Sequence, residues 1–207
     1  MRTVLVPRER FERWVANFAD RHGGGPGIVT GAGGIFGMAQ DGSTFHARLP
    51  FDVQYDGPAD AAAFAAAISV PADWGLLLVR KGGFAVARLA GERLVDSKVG
   101  QRHVQGRTKA GGQSQQRFAR RRDNQARQAY EAAADHAARL LGERAPHVVT
   151  GGDHAAVDEV LADPRLKRVT VDERWLPVPD PKRGVLDQAI LDAAAAEVQV
   201  INRGDDQ

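Results

Sequence analysis

The chain has 207 residues, 43% of them hydrophobic and 26% charged, enough to bury an ordinary core and to exclude disorder over most of its length. It contains no cysteine, which excludes disulfide staples and thiolate metal sites. The net charge of +2 is unevenly spread: residues 101–127 hold eight Arg or Lys and a single acid, a local +7 that leaves −5 for the remainder.

The opening "MRTVLVPRERFERW" lacks the apolar run and cleavage site of a signal peptide, and no window approaches the ~20 apolar residues of a membrane helix. A soluble cytoplasmic protein is expected. Residues 8–21 predict a helix, with Phe11, Trp14, Val15 and Phe18 on one stripe and "HGGGPG" as its stop. "GIVTGAGGIFGMAQDGSTFHARLPF" predicts two strands around a "QDGS" turn. Its "GAGGIFG" is not a nucleotide fingerprint: the spacing differs from G-x-G-x-x-G, no Lys-Ser/Thr pair follows and no helical pattern begins there. "PADAAAFAAAISV" reads as a short helix. In "WGLLLVRKGGFAVARLAGERLVDSKVG" three apolar runs separated by "KGG" and "AGE" predict an antiparallel meander. After the basic segment a long helix is expected from about Gln115 to Leu141. "HVVTGG" then reads as a buried strand, "DHAAVDEVLADP" as a helix capped by Asp153, and "LKRVTVD" as another strand. "WLPVPDPK" is an extended connection. "GVLDQAILDAAAAEVQVIN" predicts a closing helix with Val185, Ala189, Ile190 and Ala193 on one face. Strands followed by alternating helices and strands imply an α/β layer protein with a mixed sheet and packed helices. Two parts are expected: an N-terminal helix and hairpin over 1–58, packed on a main domain over 59–207.

The segment "TKAGGQSQQRFARRRDNQARQ", residues 108–128, departs from ordinary surface patterning. At helical spacing Phe118, Ala126, Ala129, Tyr130, Ala133, Ala137, Leu140 and Leu141 form one stripe able to dock on a sheet. Arg117, Arg120, Asn124, Arg127 and Gln128 face the other way, with Arg121 at the border and Arg122 on the apolar side. A solvated face would interleave acids at i,i+4; here they are nearly absent. Cations in the first turns oppose the helix dipole, and an anionic partner offsets that cost by neutralisation and counterion release. Arg107, Lys109, Arg117, Arg120, Arg121, Arg122 and Arg127 are therefore the expected contacts to nucleic acid or phosphate. His103, in the same run, reads as a phosphate contact or a solvated side chain more readily than as a base. The "TGGDH" after a strand has the look of a phosphate cradle, but Asp153 as a simple cap is the stronger reading. The six histidines show no metal-ligand spacing, and Asp153, Asp158 and Asp172 do not obviously converge as a magnesium nuclease requires. No metal and no cofactor are expected.

"GGQSQQRFARRR" resembles the tip and following helix of the central, catalytic domain of archaeal and eukaryotic class-one peptide-chain release factors. The meander, "HVVTGGDHAAVDEVLADPRLKRV" and "RGVLDQAILDAA" resemble other parts of that domain, so the resemblance spans roughly residues 74–195. No codon-reading domain is expected in front, and the better match is then to the stand-alone Vms-like release factors of ribosome rescue, in their compact actinobacterial branch. The resemblance implies a ribonuclease-H-like central-domain architecture with a protruding glycine-rich loop before a long basic helix. It implies a peptidyl-tRNA hydrolase whose partners are peptidyl-tRNA, ribosomal RNA and the large ribosomal subunit, working as a monomer without a membrane. Its catalytic tip is Gly111, Gly112 and Gln113; aligning instead on Ser-Gln, as in relatives with "GGSQ", selects Gln115. The rival expectation is a non-catalytic RNA-binding factor that docks through the basic helix.

Overall fold

The β-branched and apolar run "RTVLV" forms a strand, Arg2–Val6 (β1), which ends at Pro7. The fixed φ of that proline, −60°, starts the helix Arg8–Arg21 (α1), whose Phe11, Val15 and Phe18 are buried. The computed structural model describes residues 1–101, 127–142 and 147–203. Where two strands were expected around "QDGS", three form: Gly27–Gly31 (β2), Gly34–Met38 (β3) and Thr44–Arg48 (β4). The additional break lies at Ala32 and Gly33, both at positive φ (45° and 73°), the geometry of a tight hairpin turn that the surrounding glycines permit. "GAGGIFG" is thus a hairpin. A short helix, Ala61–Ala67 (α2), is capped by Asp60, whose side chain accepts from the Ala63 N–H at 2.8 Å.

The meander is as expected: Trp74–Arg80 (β5), Gly83–Ala90 (β6) and Arg93–Gln101 (β7), antiparallel in sequence order. Residues 127–137 are helical (α3) and run into a π-helical turn, Ala138–Gly142. His147–Gly152 (β8) pairs parallel with β5, and Thr170–Leu176 (β9) pairs parallel with β8. Between them lies His154–Leu161 (α4) and a 3₁₀ turn, Pro164–Leu166. This sheet has the order β7-β6-β5-β8-β9 and is mixed. β5 is its central strand and is buried from Trp74 to Val79, which explains its uninterrupted apolar run.

The expected closing helix divides. Helix Arg183–Ala194 (α5) buries Leu186, Ala189 and Ala193, whereas Val185 and Ile190 are only partly buried. After Ala194 the chain changes period and forms Ala196–Ile201 (β10), with Ala196, Val198 and Val200 inward and Glu197 and Gln199 between them. The alanine run Ala193–Ala196 hides that switch, because alanine suits either period. β10 returns to the N-terminal part and lies between β1 and β4 in an antiparallel sheet of order β1-β10-β4-β3-β2. The chain accordingly has two compact units, residues 1–70 with 191–207 and residues 71–190, while the boundary expected at 58/59 falls inside the first. In that first unit α1, α2 and the sheet enclose Phe11, Ile35, Phe45 and Phe64, with the Phe11 and Phe64 rings 4.8 Å apart.

Candidate functional site

The expected tip, Gly111, Gly112, Gln113 and Gln115, lies outside the described residues. So do His103, Arg107, Lys109, Arg117, Arg120, Arg121 and Arg122. What is described is the base from which that run departs and to which it returns: β7 ends at Gln101, paired with Gly83, and the chain resumes as α3 at residue 127. Every described member of the predicted apolar stripe is buried, namely Ala129, Tyr130, Ala133, Ala137, Leu140 and Leu141. Tyr130, Ala133, Ala137, Leu140 and Leu141 share a core with Leu77, Val79, Val86 and Val148 of the mixed sheet. Ala134 and Ala138 are buried too, widening the stripe. Arg127 and Gln128 are exposed on the other face, where the angular reading places them.

Two clefts flank this base. On one side Arg127, Glu131 and Asp135 of α3 face Glu159, Asp163 and Arg165 across an open groove of about 530 Å³. Arg165 fixes its far wall, donating to Asp163 at 2.6 and 2.9 Å and to Asp135 at 2.7 Å. Those donors, first the side chain and then the Arg165 N–H, hold the Asp163 carboxyl down to about 2. Four carboxylates against two guanidiniums make this groove net acidic, so it repels phosphate. On the other side Gly83, Phe84, Lys98, Gly100, Ala132 and His136 line a hollow of about 220 Å³. His136 stacks near Phe84, with centroids 5.7 Å apart. Burial lowers its pKa, and the Lys98 and Arg139 charges add to that. A Cβ on Gly100 would run into the Phe84 ring, so this approach to the run requires glycine.

Of the other candidates, Asp153 occupies the N-cap position of α4, but its side chain makes no cap hydrogen bond. Its N–H instead donates to the Val79 carbonyl at 2.8 Å. The preceding Gly152 sits at φ +107°, and a Cβ there would meet that same carbonyl. His154, first in the helix, is covered by the Trp175 ring at 3.5 Å. One pair, a partly exposed histidine against a buried carboxylate, has no counterpart in the sequence motifs: the parallel register brings His147 Nε2 to 3.0 Å from Asp172 Oδ2, while Oδ1 accepts from the Arg174 N–H at 2.7 Å. Its signal is visible only once β8 and β9 are known to be neighbours.

A helix anchored on a mixed sheet behind a glycine-led basic run is the arrangement expected of a release factor. Residues 72–199, well over half of the chain, match the family described as the Actinobacteria/chloroflexi VLRF1 release factor, and the chain belongs to that family. No curated protein sequence matches the chain. Among solved structures, the archaeal translation termination factor aRF1 is similar over 76% of this chain and 48% of its own, at 12% identity and a TM-score of 0.43. A structure described only as an archaeal protein is similar over 74% and 48%, at 14% identity and a TM-score of 0.38. The Vms1 mitochondrial localization core is similar over 95% and 82%, at 10% identity and a TM-score of 0.41. The chain spans about half the length of the first two. No helix among the described residues is long and apolar enough to cross a membrane.

Proposed function

We propose that this chain hydrolyses peptidyl-tRNA and so frees nascent chains from stalled ribosomes or large ribosomal subunits. The observation that carries the reading is the release-factor family match over residues 72–199, which runs through Gly111, Gly112 and Gln113. The substrate is an ester between a peptide and the terminal ribose of a tRNA, and attack by water creates a tetrahedral oxyanion. No Ser-His-Asp or Cys-His set is visible beside the tip sequence, so the chemistry rests on position and on preorganised donors. Two glycines let the backbone approach the ester with no Cβ in the way. The Gln113 N–H donates to the oxyanion or the leaving hydroxyl, and the side-chain amide orients the water. The arginines after the tip, Arg127 among them, hold ribosomal RNA through its phosphates. The protein works in the cytoplasm as a monomer, with neither metal nor cofactor.

The test is release of labelled peptide from stalled large subunits. Gly112→Ala abolishes release with little loss of binding. Gln113→Ala keeps the backbone donor and gives a milder defect; loss of a full oxyanion donor costs ~10²–10³ in rate. Gln115→Ala changes little. Loss with Gln115→Ala alone would move the catalytic glutamine two residues on. Release unchanged in all three variants would leave a non-catalytic docking factor.

A further inference from the structure

Along α1, Arg10, Trp14, Asn17 and Arg21 follow one another at steps of four, three and four, forming a stripe beside the buried Phe11–Val15–Phe18 face. The lower part of that stripe meets the edge of the antiparallel sheet, where Arg2 and Val4 of β1 and Val200 of β10 complete an open groove of about 470 Å³. His22 also lines it. With Nδ1 held 2.8 Å from Asp41 Oδ2, Nε2 is the ring nitrogen left to meet a ligand. No carboxylate lines the groove. None of the ion pairs among the described residues involves Arg2 or Arg21. Guanidiniums from two different elements therefore set a positive field inside it.

The groove also offers an aromatic surface. The half-buried Trp14 indole is fixed by three rings, stacked near Phe18 at 5.8 Å and 17°, offset from Phe11 at 6.4 Å and 26°, and met edge-on by Phe45 at 5.3 Å and 90°. An immobilised, partly exposed indole between arginines, with the Asn17 amide beside it, matches what an unpaired nucleotide requires. The base gains a π-face and the backbone phosphate gains cations. An acidic peptide or a free phosphate would use the arginines and leave the indole without a role.

We propose that this groove binds single-stranded RNA, with a base against Trp14 and a phosphate between Arg2 and Arg21. The residues that line it lie outside 72–190 and apart from the basic run of 101–127, so this is a second RNA contact on the N-terminal unit. It stands apart from the hydrolase reading, because it is measured on RNA without ribosomes.

The experiment uses the full chain carrying Arg117→Ala, Arg120→Ala and Arg121→Ala, to silence much of the basic run. Its probe is a fluorescein-labelled oligouridine of about eight nucleotides, followed by anisotropy. Adding Arg2→Glu with Arg21→Glu weakens binding by roughly tenfold or more and lowers the salt slope by about 0.7 for each phosphate no longer neutralised. Trp14→Leu retains an apolar contact with Phe18 but loses the stacking surface, and weakens binding by roughly tenfold. Because both arginines are exposed, the charge reversal leaves the melting temperature unchanged, which keeps the test clear of misfolding in Trp14→Leu. Ultraviolet crosslinking places the oligonucleotide on the α1 peptide. Affinity unaltered by the charge reversal, absence of binding in the background chain, or equal competition by polyglutamate or inorganic phosphate would each overturn the assignment.

Discussion

His46 illustrates how a single ring on β4 links packing to pH. It stacks on Phe36, centroids 3.9 Å apart and planes within 2° of parallel, in the row where β3 and β4 pair Phe36 with His46. Burial lowers its pKa first, and the Arg48 charge lowers it further against a smaller opposing effect of Glu197. The unfolded chain then takes up the proton more readily than the folded one. The contribution to stability is complete above the ordinary histidine value and is lost as pH falls below it. We expect the melting temperature to drop between about pH 7 and about pH 5, and His46→Phe to flatten that part of the profile. Parallel profiles for the two proteins would assign the drop to another group, His136 first, since its pKa is lowered in the same direction.

At the scale of elements, β10 decides the first sheet. It supplies Ala196, Val198 and Val200 to the core and pairs on both sides, so its N–H groups serve β1 and β4. Val198→Pro removes one ladder donor from an interior strand. It should destabilise the sheet, read as a lower denaturation midpoint and faster amide exchange in β1 and β4. The strand is instructive for what a sequence displays. Elements with a dominant period were legible: α1 from its aromatic stripe, the meander from three apolar runs, α3 from alanines and leucines spaced to dock on a sheet. Elements whose evidence is tertiary were not. β1 is five residues with no punctuation but a proline, the turn at Ala32 depends on glycines that also permit a loop, and β10 emerges from an alanine run of no period. The site divides in the same way. The roles proposed for Gly111, Gly112 and Gln113 come from the resemblance of their run to a release-factor tip, with residue types that permit them, whereas the Arg165–Asp163–Asp135 clamp and the His147–Asp172 pair exist only through the approach of separate elements.

At the scale of the whole molecule, charge is segregated, with a segment of +7 on a remainder of −5. The acidic groove at the root of α3 adds contrast, because it turns phosphate away from one flank of the base. Replacing Arg117 and Arg120 by alanine should weaken binding to the large subunit and reduce its salt slope by about one for each phosphate left without its cation, while melting is unaffected. An unchanged slope would reduce those side chains to a solvated face. The two-unit arrangement has a consequence in time. Residues 71–190 interrupt a sheet begun by β1 and completed by β10, so an interior strand is synthesised nearly two hundred residues after β1, one of its two neighbours. At ~5–20 residues per second that is a wait of roughly 10–40 s. Until β10 emerges β1 and β4 lack their shared neighbour, and the N-terminal unit keeps an open slot in its sheet while β5 to β9 of the inserted unit are all made before that slot is filled.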